Sequence, residues 1–146
     1  MSNKILVDTN IFVYTRDRSA PEKQGKAQQI LDELVELRTG VISTQVLGEF
    51  FNTITAPKFS NRIEVGKALE ALQALIDNWE VKEITPFVVL EAARGVRDYQ
   101  FSYWDAQVWA VAKLNQIPVI YSEDFNVGAE IEGIRFLNPL ADDLVS

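Results

Sequence analysis

Short apolar runs alternate with longer segments of helical period along this chain, and that order admits few folds. Lys4–Asp8 is such a run, closing on turn-capable residues, and GVIST, IPVIYSED and GIRFLNP repeat the pattern, while EVKEIT alternates as a strand half buried or at an edge would. Each predicts a short strand. Between them, Pro21–Arg38 carries Ala27, Ile30, Leu31 and Leu34 on one stripe, with Pro21 suited to a first turn and Gly40 to a stop. The next helix, capped by Ser43 or Thr44, carries Leu47, Phe50, Phe51 and Ile54 and ends at Pro57. Arg62–Asn78 predicts an amphipathic helix with Val65, Leu69, Leu72 and Ile76 in register, and Pro86 opens another that lasts to about Asp98. SYWDAQVWAVAKLNQ is apolar on most sides and predicts a central helix. Strands alternating with helices imply an α/β fold: a three-layer α/β/α sandwich around a central, mostly parallel sheet, in a single domain over residues 1–146.

The residue types that are missing narrow the chemistry. The chain has no His and no Cys, which removes the Ser–His–Asp triad, the cysteine nucleophile, the histidine base and the ordinary zinc site. Catalysis would have to come from carboxylates, hydroxyls, Lys, Arg or Tyr. Carboxylates are ligands for hard cations such as Mg²⁺ and Mn²⁺. A formal net charge of −7 speaks against sequence-independent nucleic-acid binding, which usually leaves a basic footprint. Two local basic groups run against that balance: Arg16, Arg18, Lys23 and Lys26, then Lys58, Arg62 and Lys67. Solvated helix faces are the simplest account of both. No apolar run approaches the ~18 residues that cross a bilayer, and MSNKILVDTN has no signal-peptide character. A cytoplasmic protein with no membrane contact is the expectation.

In open α/β sheets, ligands bind beyond the carboxyl ends of the strands, where the strand order reverses. Asp8 ends the first strand and Asp124 lies just past PVIY, so both fall where that rule puts a site. Each candidate acid also has an architectural explanation. Asp8, like Thr9 or Asn10, can cap a short helix over Asn10–Tyr14. Glu49 falls on the far side of its helix from Leu47, Phe50, Phe51 and Ile54, where a solvated glutamate is ordinary. Ser102 and Asp105 have the spacing of a capping box, although Trp104, Val108, Trp109 and Val111 draw Asp105 toward the interior, where a carboxylate needs a partner. Asp124 can close an Asx-turn, and Glu123 beside it competes for any functional role.

Four stretches, ILVDTNIFVY, GEFFN, SYWDAQVWAVA and VIYSEDFNVGAEIEGIRFLNP, in that order and spacing, resemble the PIN domain family, most closely its VapC-type toxins. The resemblance covers essentially the whole chain; Ser122 stands where many members carry Thr. It implies a metal-dependent endoribonuclease, the toxin of a toxin–antitoxin pair, in which Asp8, Glu49, Asp105 and Asp124 bind one or two Mg²⁺ or Mn²⁺ ions. Thr9, Asn10 and Ser122 would orient those acids or the scissile phosphate. It further implies an RNA substrate, a cognate antitoxin protein and a homodimer. Carboxylates drawn within about 5 Å repel by roughly 3 kcal/mol per pair at an effective dielectric near 20, which a divalent cation would offset. Three rival readings are a receiver-like signalling module, a PIN-like fold that has lost catalysis, and a nuclease acting on DNA. Receiver domains pair acids after the first strand, whereas here Asp8 is followed by Thr9 and Asn10.

Overall fold

The computed structural model describes residues 2–141. Its strands are β1 (Ile5–Val7), β2 (Gly40–Ser43), β3 (Glu80–Lys82), β4 (Val119–Tyr121), β5 (Glu130–Ile131) and β6 (Ile134–Leu137). The helices are α1 (Thr9–Tyr14), α2 (Pro21–Leu37), α3 (Thr44–Thr55), α4 (Val65–Asn78), α5 (Pro86–Tyr99) and α6 (Tyr103–Leu114). The strands form one sheet in the order β3-β2-β1-β4-β6-β5. All pairings are parallel except β5 with β6. From β1 the chain builds outward to β2 and β3, then returns to place β4 on the other flank of β1, so the order reverses between β1 and β4.

Side chains that alternate across each strand feed two cores. Leu6, Val41, Ile120 and Phe136 pack on one face beneath α5 and α6, centred on the fully buried Trp109. Val7 and Ile42 turn to the other face, against Ile11, Phe12, Leu31, Val46 and Phe50 from α1, α2 and α3. This is the three-layer arrangement that the strand–helix alternation predicts. The short strand EVKEIT is confirmed at an edge, where Lys4 and Lys82 pair with Glu80.

Three features depart from the sequence expectation. The helix predicted from Arg62 starts at Val65, and the stripe it buries is rotated: Ala68 is enclosed and Ala71, Leu72 and Leu75 pack inward, while Val65, Leu69 and Ile76 stay about half exposed. The inward side of α4 thus pairs small alanines with Leu72 and Leu75. Trp104, placed with the inward residues of its helix, is 62% exposed. The strand β5 was not anticipated: two residues cannot display an alternation, and Glu132 and Gly133 form the turn to β6 with φ of 50° and 85°, the left-handed geometry of a tight hairpin. The acidic tail lies outside the described residues.

Gly40 has a packing role at the start of β2. A Cβ there would stand 2.3 Å from the Trp79 ring, and that ring is braced edge-on against Phe12 with centroids 5.0 Å apart. Gly40→Ala is therefore expected to destabilise the fold by about 1–3 kcal/mol, the usual cost of overpacking. Urea denaturation of the two proteins measures it; an unchanged midpoint would show that the Trp79 ring swings aside freely.

Candidate functional site

The strand order reverses between β1 and β4, and beyond the carboxyl ends of these strands is where an open α/β sheet places its ligand crevice. The Asp8 amide still donates to the Tyr121 carbonyl at 2.9 Å, carrying the ladder one residue past β1. The carboxylate of Asp8 caps α1 and bridges the crevice at once: Oδ1 accepts from the Thr9 amide at 2.8 Å, and Oδ2 accepts from the Ser122 hydroxyl at 3.0 Å. Ser122 is fully buried, and its Oγ also accepts from the Phe125 amide at 3.3 Å. Asp8 thus fulfils the capping reading and still faces the crevice.

The other acids reach the same place from separate elements. Glu49, on α3, accepts a 2.7 Å hydrogen bond from the Thr9 hydroxyl. The far side of the Leu47–Phe50 stripe is thus exposed, as the pattern predicts, and also turned toward Thr9 of α1. Asp105 lies in the first turn of α6, where the Ser102 hydroxyl accepts from its amide at 3.2 Å. The reciprocal bond from the Asp105 carboxylate does not form among the described residues, leaving that carboxylate uncommitted. Asp124 is exposed and accepts from Asn10 Nδ2 at 3.5 Å. Glu123 turns away: it pairs with Lys23 at 2.6 Å and accepts from the Tyr14 hydroxyl at 2.6 Å. Burial alone would raise its carboxyl, yet Lys23 and Tyr14 hold it below the ordinary range.

Gln45 and Gln107 were not picked out by sequence reasoning, yet they join α3 to α6 beside these acids. Gln107 Nε2 donates to Gln45 Oε1 at 2.8 Å, and Gln45 Nε2 lies 3.4 Å from Glu49 Oε1 and 3.3 Å from the Trp104 carbonyl. The Tyr103 hydroxyl completes the chain on Gln107 Oε1 at 2.8 Å. The available signal was Gln107 itself, a polar residue on a helix apolar all round, buried here to 5% exposure.

Charge crowding shows at Asp8. Burial raises its carboxyl from 3.8 to about 6, against the lowering by the Thr9 and Ser122 donors, and the charges of Glu49 and Asp105 push in the same direction as burial. A second polar group is left open, because the Asn10 Oδ1 atom is buried without a partner among the described residues. Hard oxygen donors, crowded negative charge and an unsatisfied carbonyl oxygen fit a hard divalent cation. No group of three acids among the described residues is drawn together tightly enough to hold an ion as the side chains stand. A cation here would have to draw the carboxylates inward.

A folded-state carboxyl raised above its ordinary value keeps a proton that the unfolded chain releases. Stability from Asp8 therefore falls as pH rises from about 4 to about 6 and stays low above that, by at most about 3 kcal/mol. Asp8→Asn, which preserves the acceptor for Thr9, is expected to melt higher than wild type in EDTA at pH 7, with the gain vanishing near pH 4. Asp105→Asn should be equally or more stable than wild type under the same conditions. A clear fall in melting temperature for Asp105→Asn would make that residue a structural cap.

Comparison with known proteins agrees with this architecture. No curated protein matches the sequence. Among solved structures, a VapC toxin of Mycobacterium tuberculosis that cleaves the sarcin–ricin loop superposes with a TM-score of 0.65 at 19% identity, covering 90% of this chain and 99% of that one. A toxin–antitoxin complex from Klebsiella pneumoniae gives 0.63 at 19% identity over 93% and 98% of the two chains. DNA-bound VapBC from Salmonella typhimurium gives 0.67 at 17% identity over 95% and 99%. At these identities the likeness concerns the fold. The PIN domain model matches residues 5–128, and the chain belongs to the PIN domain family.

Proposed function

We propose that this chain is a metal-dependent endoribonuclease, the toxin of a toxin–antitoxin pair, which hydrolyses RNA phosphodiester bonds with water. The observation that carries the reading is Asp8, buried at the switch point of a PIN fold beside Glu49 and Asp105, with its carboxyl raised to about 6. Burial supplies the largest part of that rise, and the charges of Glu49 and Asp105 add to it. Asp8, Glu49, Asp105 and Asp124 would hold Mg²⁺ or Mn²⁺, one ion or two. When bound, the cation supplies Lewis acidity that a chain without histidine otherwise lacks for activating water and offsetting charge on the phosphate.

The chain's own residues prepare the place. Ser122 and the Thr9 amide hold Asp8 in a single orientation, and the Thr9 hydroxyl fixes Glu49 toward it. The Gln45–Gln107 link sets the separation of α3 and α6, and with it that of Glu49 and Asp105. Asn10 joins Asp124 to the group and presents its free carbonyl oxygen. Regulation by a cognate antitoxin, a separate chain, is supported by neighbours solved as toxin–antitoxin complexes. Assembly as a homodimer is supported by the apolar side chains left on α4 and α5, among them Leu69, Phe87 and Leu90.

The test is cleavage of labelled structured RNAs by wild type and Asp8→Asn in Mn²⁺, Mg²⁺ and EDTA. Cutting should require the metal and fall to background in Asp8→Asn. Ser122→Ala, which frees Asp8 to rotate while keeping all four acids, should cost about 10–100-fold in rate. Cutting that persists in EDTA, or in Asp8→Asn, would reject the mechanism.

A further inference from the structure

Arg16 and Arg18, from the first basic group of the sequence, meet the loop between α3 and α4. Arg16 and Arg18 follow α1, and the loop between α3 and α4 folds against them, where the Arg18 amide donates to Asn61 Oδ1 at 2.8 Å. Between these segments lies a cavity of about 400 Å³ lined by Arg16, Arg18, Gln28 and Asn61, and by no acidic residue. Its wall is anchored, because the Gln24 amide donates to the Thr15 carbonyl at 3.1 Å and the Thr15 hydroxyl to that of Phe12 at 2.6 Å.

Its arginines stand apart from their neighbours in being uncommitted. Lys23 is engaged by Glu123, and the Lys26 ammonium donates to the Leu140 and Ala141 carbonyls. The nearest acid in the chain, Asp17, is taken up by the Ser19 amide and hydroxyl. Asp32, which shares an adjoining groove with Arg16, accepts from Gln28 at 2.9 Å. The guanidinium groups of Arg16 and Arg18 have no ion-pair or hydrogen-bond partner among the described residues. Two unpaired guanidinium groups with amide side chains around them suit a phosphate, which arginine binds through parallel N–H donors.

We propose that Arg16 and Arg18, with Gln28 and Asn61, form a subsite for a backbone phosphate of the RNA substrate. The choice of RNA rests on the ribonuclease reading above. The six residues of α1 rise about 9 Å, so the subsite and Asp8 lie at opposite ends of one short helix. One strand of RNA can span that distance within a few nucleotides. The subsite gives a chain of net charge −7 a local basic footprint for a polyanion whose affinity comes largely from phosphate contacts.

The experiment measures fluorescence anisotropy of a labelled single-stranded RNA in Mg²⁺ across a salt series. Asp8→Asn serves as the non-cutting parent, and Arg16→Gln/Arg18→Gln is compared in that background. Loss of two phosphate contacts should weaken binding roughly ten-fold at 0.1 M salt and flatten the log–log salt slope by about 1.4. Arg16→Lys/Arg18→Lys should keep the slope. Inorganic phosphate should shift the amide resonances of residues 15–18 and 61–62 in the parent and not in the Gln variant. Unchanged RNA affinity and slope in the Gln variant would overturn the subsite. Dependence on the arginines for a polyglutamate peptide but not for RNA would overturn the RNA assignment in favour of an acidic protein segment. Wild-type cleavage run alongside separates the two readings. Cleavage with arginine-independent binding rejects the subsite alone. Neither cleavage nor binding of RNA by wild type rejects the ribonuclease reading and the RNA assignment with it.

Discussion

Placing a carboxylate where a parallel sheet reverses its strand order sets two demands against each other. The ladder must continue far enough to hold the residue, and the side chain must be turned off the end of the strand into the crevice. Asp8 satisfies both, with its amide still bonded to Tyr121 and its two carboxylate oxygens held by Thr9 and Ser122. These donors lower the cost of burying charge without cancelling it, so the carboxyl settles near 6. Much of the surrounding structure follows from that residual cost. Ser122 must be buried to reach Asp8, Thr9 must begin a helix, and Glu49 is tied to Thr9 rather than to solvent alone.

The short helix α1 is the common member of these contacts. Its first residues orient the carboxylates, Ile11 and Phe12 anchor it in the core, and its last turn leads into the basic cavity. Six residues cannot hold a helix in water by themselves. Its geometry is set by the packing of Phe12 against Phe50 and Trp79, and thus by the same contacts that require a glycine at position 40. Substitutions in that aromatic cluster bear on the site through α1.

Acids of one charge set near the same strand ends repel one another, and here the fold distributes them. Asp8 and Asp124 stand at strand ends, Glu49 and Asp105 on helices from opposite faces of the sheet, and hydroxyl and amide side chains separate them. Glu123, one residue from Asp124, is diverted onto Lys23 and Tyr14. The two adjacent acids therefore serve different ends, one facing the crevice and one fastening α2 to the loop after β4.

The sequence by itself determined the layer order and most element positions, because period-two and period-3.6 patterns depend on local burial. It also determined which chemistry was available, since a chain without His or Cys is left with oxygen ligands. The resemblance carried by DTN, GEFFN, SYWDA and SEDFN named the acids, but pattern alone left each with an architectural alternative. The tertiary structure supplied the contacts each of them makes. That the exposed Glu49 also meets Thr9, that Glu123 pairs with Lys23 while Asp124 meets Asn10, and which side of α4 is buried all depend on contacts between residues distant in sequence. Helical periodicity ranks faces by hydrophobicity, whereas packing on α4 buried the side of Ala68, Ala71, Leu72 and Leu75 and left Val65, Leu69 and Ile76 half exposed. The meeting of Arg18 with Asn61 is of the same kind: both can be read along the chain, but their contact is set by the fold.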